Sequence, residues 1–291
     1  MIRHDVNGYI DLNARAPLFA LLVAAAWPCS AQEELPLWEA GLGIGVVSAP
    51  HYRGSDERRA YVLPIPYFIY RGERLRLDRR GLRNELFEGT SASIDFSASL
   101  GLPARSQGND ARAGMPDLDP TLEIGPSFNV RLYENAPRDR LLTLRMPLRA
   151  VIATDLSSAN YIGWVFLPHL AYDLRNVRDG WNIGLSAGPI FAANRYHDYY
   201  YAVPSEFATP TRPAYDAGAG YSGFSTGIVF SRRYPGYWFG TFIRYDNVHG
   251  AVFDNSPLVR QSYAVIAGIA VSKIVARSER TVGTEEPETR P

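Results

Sequence analysis

The chain has 291 residues, 30 of them basic and 30 acidic, so its formal net charge is zero and no global field gathers nucleic acid or an anionic surface. A single cysteine excludes a disulfide framework and a thiolate metal cage. With 18 tyrosines and 25 glycines, the composition fits an all-β protein with a wet interior.

In chain order, residues 1–31 read as a secretory signal. Arg3 and Arg15 precede an apolar run from Ala16 to Trp27 that is too short to cross a bilayer, and Ser30-Ala31 offers small residues for a cut before Gln32. Cys29 lies inside this segment, so the exported chain carries no thiol. No later stretch approaches the roughly 20 apolar residues that a membrane helix needs, which leaves a closed barrel as the one way to span.

Two-faced segments then follow one another at 37–48, 61–70, 73–87, 92–102, 121–133, 142–152, 162–174, 181–191, 224–231, 237–246 and 263–272. The stretch 121–133 is the clearest: Leu122, Ile124, Pro126, Phe128, Val130 and Leu132 alternate with Glu123, Gly125, Ser127, Asn129 and Arg131. Alternation alone also fits a soluble sandwich, but strands there average about 5–6 residues, whereas a tilted membrane strand needs about 9–11. Asp78-Arg79-Arg80-Gly81 reads either as a turn that splits 73–87 or as a glycine bulge. The expectation is a transmembrane antiparallel up-and-down β-barrel over residues 32–276, of twelve strands with ten as the alternative, then a polar tail at 277–291.

Short connections (71–72, 134–138, 176–180, 234–236) alternate with mostly longer polar or proline-rich ones (51–60, 105–120, 155–160, 196–218, 250–260), as in outer-membrane barrels. The polar parity collects Asp95, Glu123, Arg131, Arg145, Arg149, Arg244 and Asp246. A charge facing lipid costs about 2–4 kcal/mol near the midplane, so these seven are assigned to the lumen, as a structural ion-pair network in preference to a selectivity ring.

Tyr52, Gly54, Ser55 and Asp56 form a turn-forming cluster in the first long loop. Pro64 and Pro66 restrict a strand, since proline cannot donate to the ladder. Tyr196 to Tyr201 is a tyrosine cluster for a sugar, a partner or the packing of a loop over the mouth. The histidines His4, His51, His169, His197 and His249 show no metal-ligand spacing, and no Gly-x-Ser-x-Gly is present, so neither a metal, a cofactor nor catalysis is expected.

Trp38 to Gly45 running into Ala49-Pro50-His51-Tyr52-Arg53-Gly54-Ser55-Asp56, Leu63-Pro64-Ile65-Pro66-Tyr67 with Leu77 to Leu82, Pro213-Ala214-Tyr215-Asp216-Ala217-Gly218-Ala219-Gly220 and Asp254 to Val259 together resemble the MipA/OmpV family of Gram-negative outer-membrane proteins. The resemblance adds Tyr215, Asp216 and Gly218 to the candidate positions. It implies a non-enzymatic barrel in outer-membrane lipid that holds a murein lytic transglycosylase together with a bifunctional murein synthase. The alternative is a narrow pore or a permeability or adhesion protein. The family's usual aromatic terminus is replaced by Ser272-Lys273-Ile274-Val275 and the polar tail.

Overall fold

The computed structural model describes residues 35–71, 75–78, 81–84, 91–136, 139–155 and 157–282. The expected signal segment with Cys29, and residues 283–291 of the expected tail, lie outside them. In chain order the elements are β1 (Leu35–Pro36), β2 (Trp38–Pro50), β3 (Arg58–Arg71), β4 (Leu75–Asp78), β5 (Gly81–Asn84), β6 (Ala92–Gly101), β7 (Thr121–Glu134), β8 (Arg140–Thr154), β9 (Ala159–Phe166), β10 (His169–Val177), β11 (Trp181–Ala192), helix α1 (Asn194–Tyr201), β12 (Gly220–Tyr234), β13 (Tyr237–Asn247), β14 (Tyr263–Arg277) and β15 (Thr281–Val282).

Strands β2 to β14 form one 13-stranded antiparallel sheet. The last strand, β14, returns to β2 with rungs from Ala267↔Ser48 to Arg277↔Glu39. At the other end of the order, β8 pairs with β9 over Leu148↔Phe166 and with β10 over Leu144↔Leu170, so those two strands share one place in the wall. The break between them is Leu167-Pro168, where proline has no N–H to give, while Leu167 still donates to Pro147 O at 3.1 Å. Thirteen strands therefore occupy twelve positions of a ring, and residues 73–87 supply two of them through the β4–β5 hairpin with its Asp78↔Gly81 rung. β3 is regular despite its prolines, and all of β2 pairs with it without a register shift.

The alternation sorts the faces. Outward positions such as Leu42, Ile44, Val62, Ile94, Phe128, Trp164, Leu185, Ile243 and Ile269 are each at least 40% exposed, the belt that a hydrocarbon phase covers. Short connections gather at one rim. Tyr234 and Tyr237 pair across Pro235-Gly236, where proline presets its own φ and Gly236, at φ +78°, takes the position that a side chain disfavours. At the same rim β15 pairs back onto β1 through Pro36↔Thr281 and Leu35↔Val282.

The long connections converge at the opposite rim and pack into a cap. Its apolar core joins Tyr52, Ala104, Met115, Leu118, Tyr201, Val203, Val248, Phe253 and Leu258, contributed by four separate loops. A second cluster, with Val151, Val165, Ile190 and Tyr196, seats α1 on the wall.

Candidate functional site

The cap turns on Arg53, which follows β2 into the mouth. Its Nη1 donates to Ser222 O at 2.7 Å and its Nη2 to Ser222 Oγ at 2.6 Å. His197, on the face of α1 turned into the barrel, is fully buried. One ring nitrogen, Nδ1, meets Gly218 O at 2.6 Å, and a carbonyl only accepts, so that nitrogen carries the proton. The other, Nε2, lies 2.9 Å from Ser222 Oγ and therefore accepts the serine proton. Burial lowers the pKa of His197 to about 4, the Gly218 carbonyl pulling the other way, so the ring is neutral at physiological pH. This serine–histidine pair is shut under packed loops, and its hydroxyl is committed to Arg53 and His197. It is a latch between the α1 loop, β12 and the first loop.

Tyr52 is buried and donates to Leu258 O at 2.8 Å, with its ring edge-on to Tyr201 at 6.0 Å. Burial raises its pKa to about 12, against the pull of the Arg112 charge. Gly54, at φ +95°, accepts Arg260 N–H at 2.8 Å and Gln261 N–H at 3.1 Å on its carbonyl. Ser55 is buried and accepts from Asn109 Nδ2 at 3.2 Å, whereas Asp56 is exposed. Tyr215 donates to Val252 O at 3.2 Å, Asp216 and Gly218 are exposed, and Gly218 supplies the carbonyl that His197 uses. Pro64 and Pro66 stand on the outward face of β3.

Below the cap the wall charges pair. Arg145 meets Asp173 at 2.9 Å, Arg149 meets Glu123 at 3.1 Å while Nε donates to Ser97 Oγ at 2.9 Å, and Arg244 meets Asp246 at 2.8 Å. Asp95 accepts from Asn129 Nδ2 at 3.0 Å. Arg131 has the inward parity but sits near the short-turn rim, where its half-exposed side chain pairs with Glu134 at 3.0 Å. A cavity of about 200 Å³ remains beside Arg149, His169, Ser186, Ser225 and Arg244. Deeper, Glu39 is fully buried, accepts from Arg233 and Tyr67, and so ties β2 to β12, three places away around the ring.

Sequence reading missed Arg53, His197, Ser222, Glu39, Asp173 and Arg233. Asp173 and Arg233 carry a readable signal, a charge on the polar parity of a strand. Glu39, on strand β2, carries the same signal, whereas Arg53, His197 and Ser222 meet through loops whose folding no periodicity encodes.

The family model for MltA-interacting protein MipA matches residues 42–274. No curated protein sequence matches the chain. Among solved structures, the CymD monoaromatic hydrocarbon channel is 13% identical, with 84% of this chain and 90% of that chain covered and a TM-score of 0.34. Pseudomonas aeruginosa OccK7 (OpdD) is 11% identical, with 82% of this chain and 98% of that chain covered and a TM-score of 0.27. With the family model spanning most of its length, this chain belongs to the MipA family of non-enzymatic outer-membrane β-barrel proteins.

Proposed function

We propose that the barrel is a membrane-embedded scaffold that ties murein-remodelling enzymes to the outer membrane after Sec-dependent export. The partners are a lytic transglycosylase, for which the family is named, and a bifunctional murein synthase. The observation that carries this reading is the division of labour between the two rims. At one mouth four loops pack into a cap, and the bore is braced by ion pairs. That points to the short-turn rim, where β15 pairs back onto β1, as the working surface. Short turns face the periplasm in outer-membrane barrels, where murein enzymes work.

The test is retention of a purified lytic transglycosylase by the immobilised mature barrel in mild detergent. Specific retention that a bulky substitution at the Tyr234–Tyr237 turn abolishes is expected; no retention at any protein concentration overturns the scaffold. Planar-bilayer recording supplies the independent arm, because a steady unitary conductance would assign the barrel to permeation instead.

A further inference from the structure

Ladder register sets two inward rows on the wall beneath the cap. Ser186, Gly227 and Arg244 are rung partners across β11, β12 and β13, and Gly188, Ser225 and Asp246 form the next row. Each row therefore holds a glycine where a side chain would otherwise project into the bore. At Gly188 the chain itself takes the space, since a Cβ there would lie 2.6 Å from His169 Cα. At Gly227 the space stays open, and a Cβ would meet Ser186 Oγ at 3.1 Å and Ile243 O at 3.7 Å. Arg149 from β8 and His169 from β10 join Ser186, Gly188, Ser225 and Arg244 around the cavity of about 200 Å³. That is room for several waters, at about 30 Å³ of liquid each.

Donors around this cavity outnumber the acceptors that answer them. Arg149 directs Nε to Ser97 Oγ and Nη1 to Glu123. Arg244 bonds through Nε, to Ser225 Oγ and to Asp246. Among the described residues nothing accepts from Arg149 Nη2 or from either Nη of Arg244, and the Ser186 hydroxyl, exposed on the lumen side, has no partner. Guanidinium N–H groups left in this way are sites for an oxyanion.

Charge leans the same way. Arg53 bonds to neutral Ser222 and is attracted to the Asp246 carboxylate, so Asp246 answers two guanidiniums. Asp246 is fully buried and is not among the groups that line the cavity, whereas the Arg244 side chain is 39% exposed. Arg53, Arg149 and Arg244 thus stand against Glu123 and Asp246, an excess of positive charge.

One acceptor completes the set. His169 Nδ1 lies 2.8 Å from Leu167 O, and a carbonyl only accepts, so Nδ1 carries the proton and Nε2 presents a lone pair. A hydrogenphosphate group offers oxygens to the guanidinium and hydroxyl donors and one O–H to that lone pair. A carboxylate has no proton to give.

We infer that this cavity binds a phosphate group, held by Arg149 and Arg244 with Ser186 and His169, as the free anion or as the end of a small monoester. The site does not rest on the scaffold role, which uses the short-turn rim.

The test is calorimetric titration of the refolded mature barrel in mild detergent, at constant ionic strength in chloride, with inorganic phosphate, glycerol phosphate and acetate as separate probes. Saturable one-to-one binding is expected with a phosphate probe and none with acetate. Binding of inorganic phosphate alone assigns the site to the free anion, and tighter binding of glycerol phosphate assigns it to a monoester. Gly227→Val fills the open wall position without touching an ion pair and should weaken binding by about tenfold or more. Ser186→Ala removes one hydroxyl and should weaken it by about three- to tenfold. Heat-modifiable gel mobility reports that each barrel has formed. No saturable heat from either phosphate probe, acetate binding as tightly as phosphate, or unchanged affinity in the folded Gly227→Val variant would each overturn the inference.

Discussion

Tyr201 lies flat on Phe253, with ring centroids 3.6 Å apart and planes 6° from parallel. Both rings are almost wholly buried, and they join the loop that carries α1 to the loop between β13 and β14. Tyr201 also donates to Arg53 O at 3.0 Å, and its own carbonyl accepts from Ser256 Oγ at 2.7 Å, so the stack sits where three loops meet. Replacing Phe253 by Ala removes the stack and opens a void, a change that costs about 3–5 kcal/mol in a packed core. The expected result is a loosened cap on an intact barrel, read as new trypsin cleavage at Arg112, which is only 3% exposed in the closed cap. Val252→Ala, at a position 38% exposed in the same loop, should leave Arg112 protected.

The latch at His197 makes the cap sensitive to acid. Burial lowers its pKa to about 4, against about 6.5 in an unfolded chain. Between those values the unfolded state binds more protons than the folded one, so stability is fully present above pH 6.5 and is lost as the pH falls toward 4. Protonation turns Nε2 from acceptor into donor and sets a second cation beside Arg53, both aimed at Ser222 Oγ. A loss on the order of 2–3 kcal/mol is expected over that window. Protease sensitivity of the loops should rise between pH 6.5 and 4.5 in vesicles, and His197→Gln should flatten that profile.

How much of this was legible in sequence follows from what fixes each part. Strand 121–133 was readable because period-two alternation is imposed by the two solvents on either side of a wall, and β7 spans Thr121–Glu134 with the parity expected. The pairing of Glu123 with Arg149 follows from that parity and from adjacency of β7 and β8. Leu167-Pro168 interrupts the segment 162–174 at the cost of a ladder bond, which sequence marks only by the proline itself. The cap was opaque for a different reason. Arg53 and Ser222 are 169 residues apart, and their contact depends on four loops folding together. The tyrosines of α1 were visible as a cluster, but their helix has no side-chain cap at Ala193 to announce its start.

The tie between Glu39 and Arg233 should be unforgiving. Glu39 is fully buried and accepts two hydrogen bonds from the guanidinium, with Tyr67 OH at 3.4 Å. Arg233→Met strands a carboxylate without its countercharge, a loss of about 3–5 kcal/mol for a buried pair. The double change Arg233→Met with Glu39→Leu removes the stranded charge and should recover most of that loss. The measurement is the temperature at which the folded gel band disappears in detergent, compared across the two single variants and the double variant. An additive double variant would show that the two residues act independently.

The first-loop motif separates into structural and free parts, and its variants should behave accordingly. At Gly54 the backbone holds φ +95°, and a Cβ there would lie 3.2 Å from Val259 Cγ1, so Gly54→Ala meets both strain and crowding. A non-glycine residue held in such a conformation costs about 1–3 kcal/mol, and the two amides of Arg260 and Gln261 that Gly54 O anchors would shift with it. Asp56 is exposed, so Asp56→Ala should change stability by no more than about 0.5 kcal/mol. The scaffold reading places the murein enzyme at the opposite rim, which makes Asp56→Ala and Gly54→Ala a paired control for it. Both variants should retain a lytic transglycosylase as the parent does, and only Gly54→Ala should lower the temperature at which the folded band is lost. Impaired retention by Asp56→Ala with unchanged stability would move the docking surface from the short-turn rim to the cap.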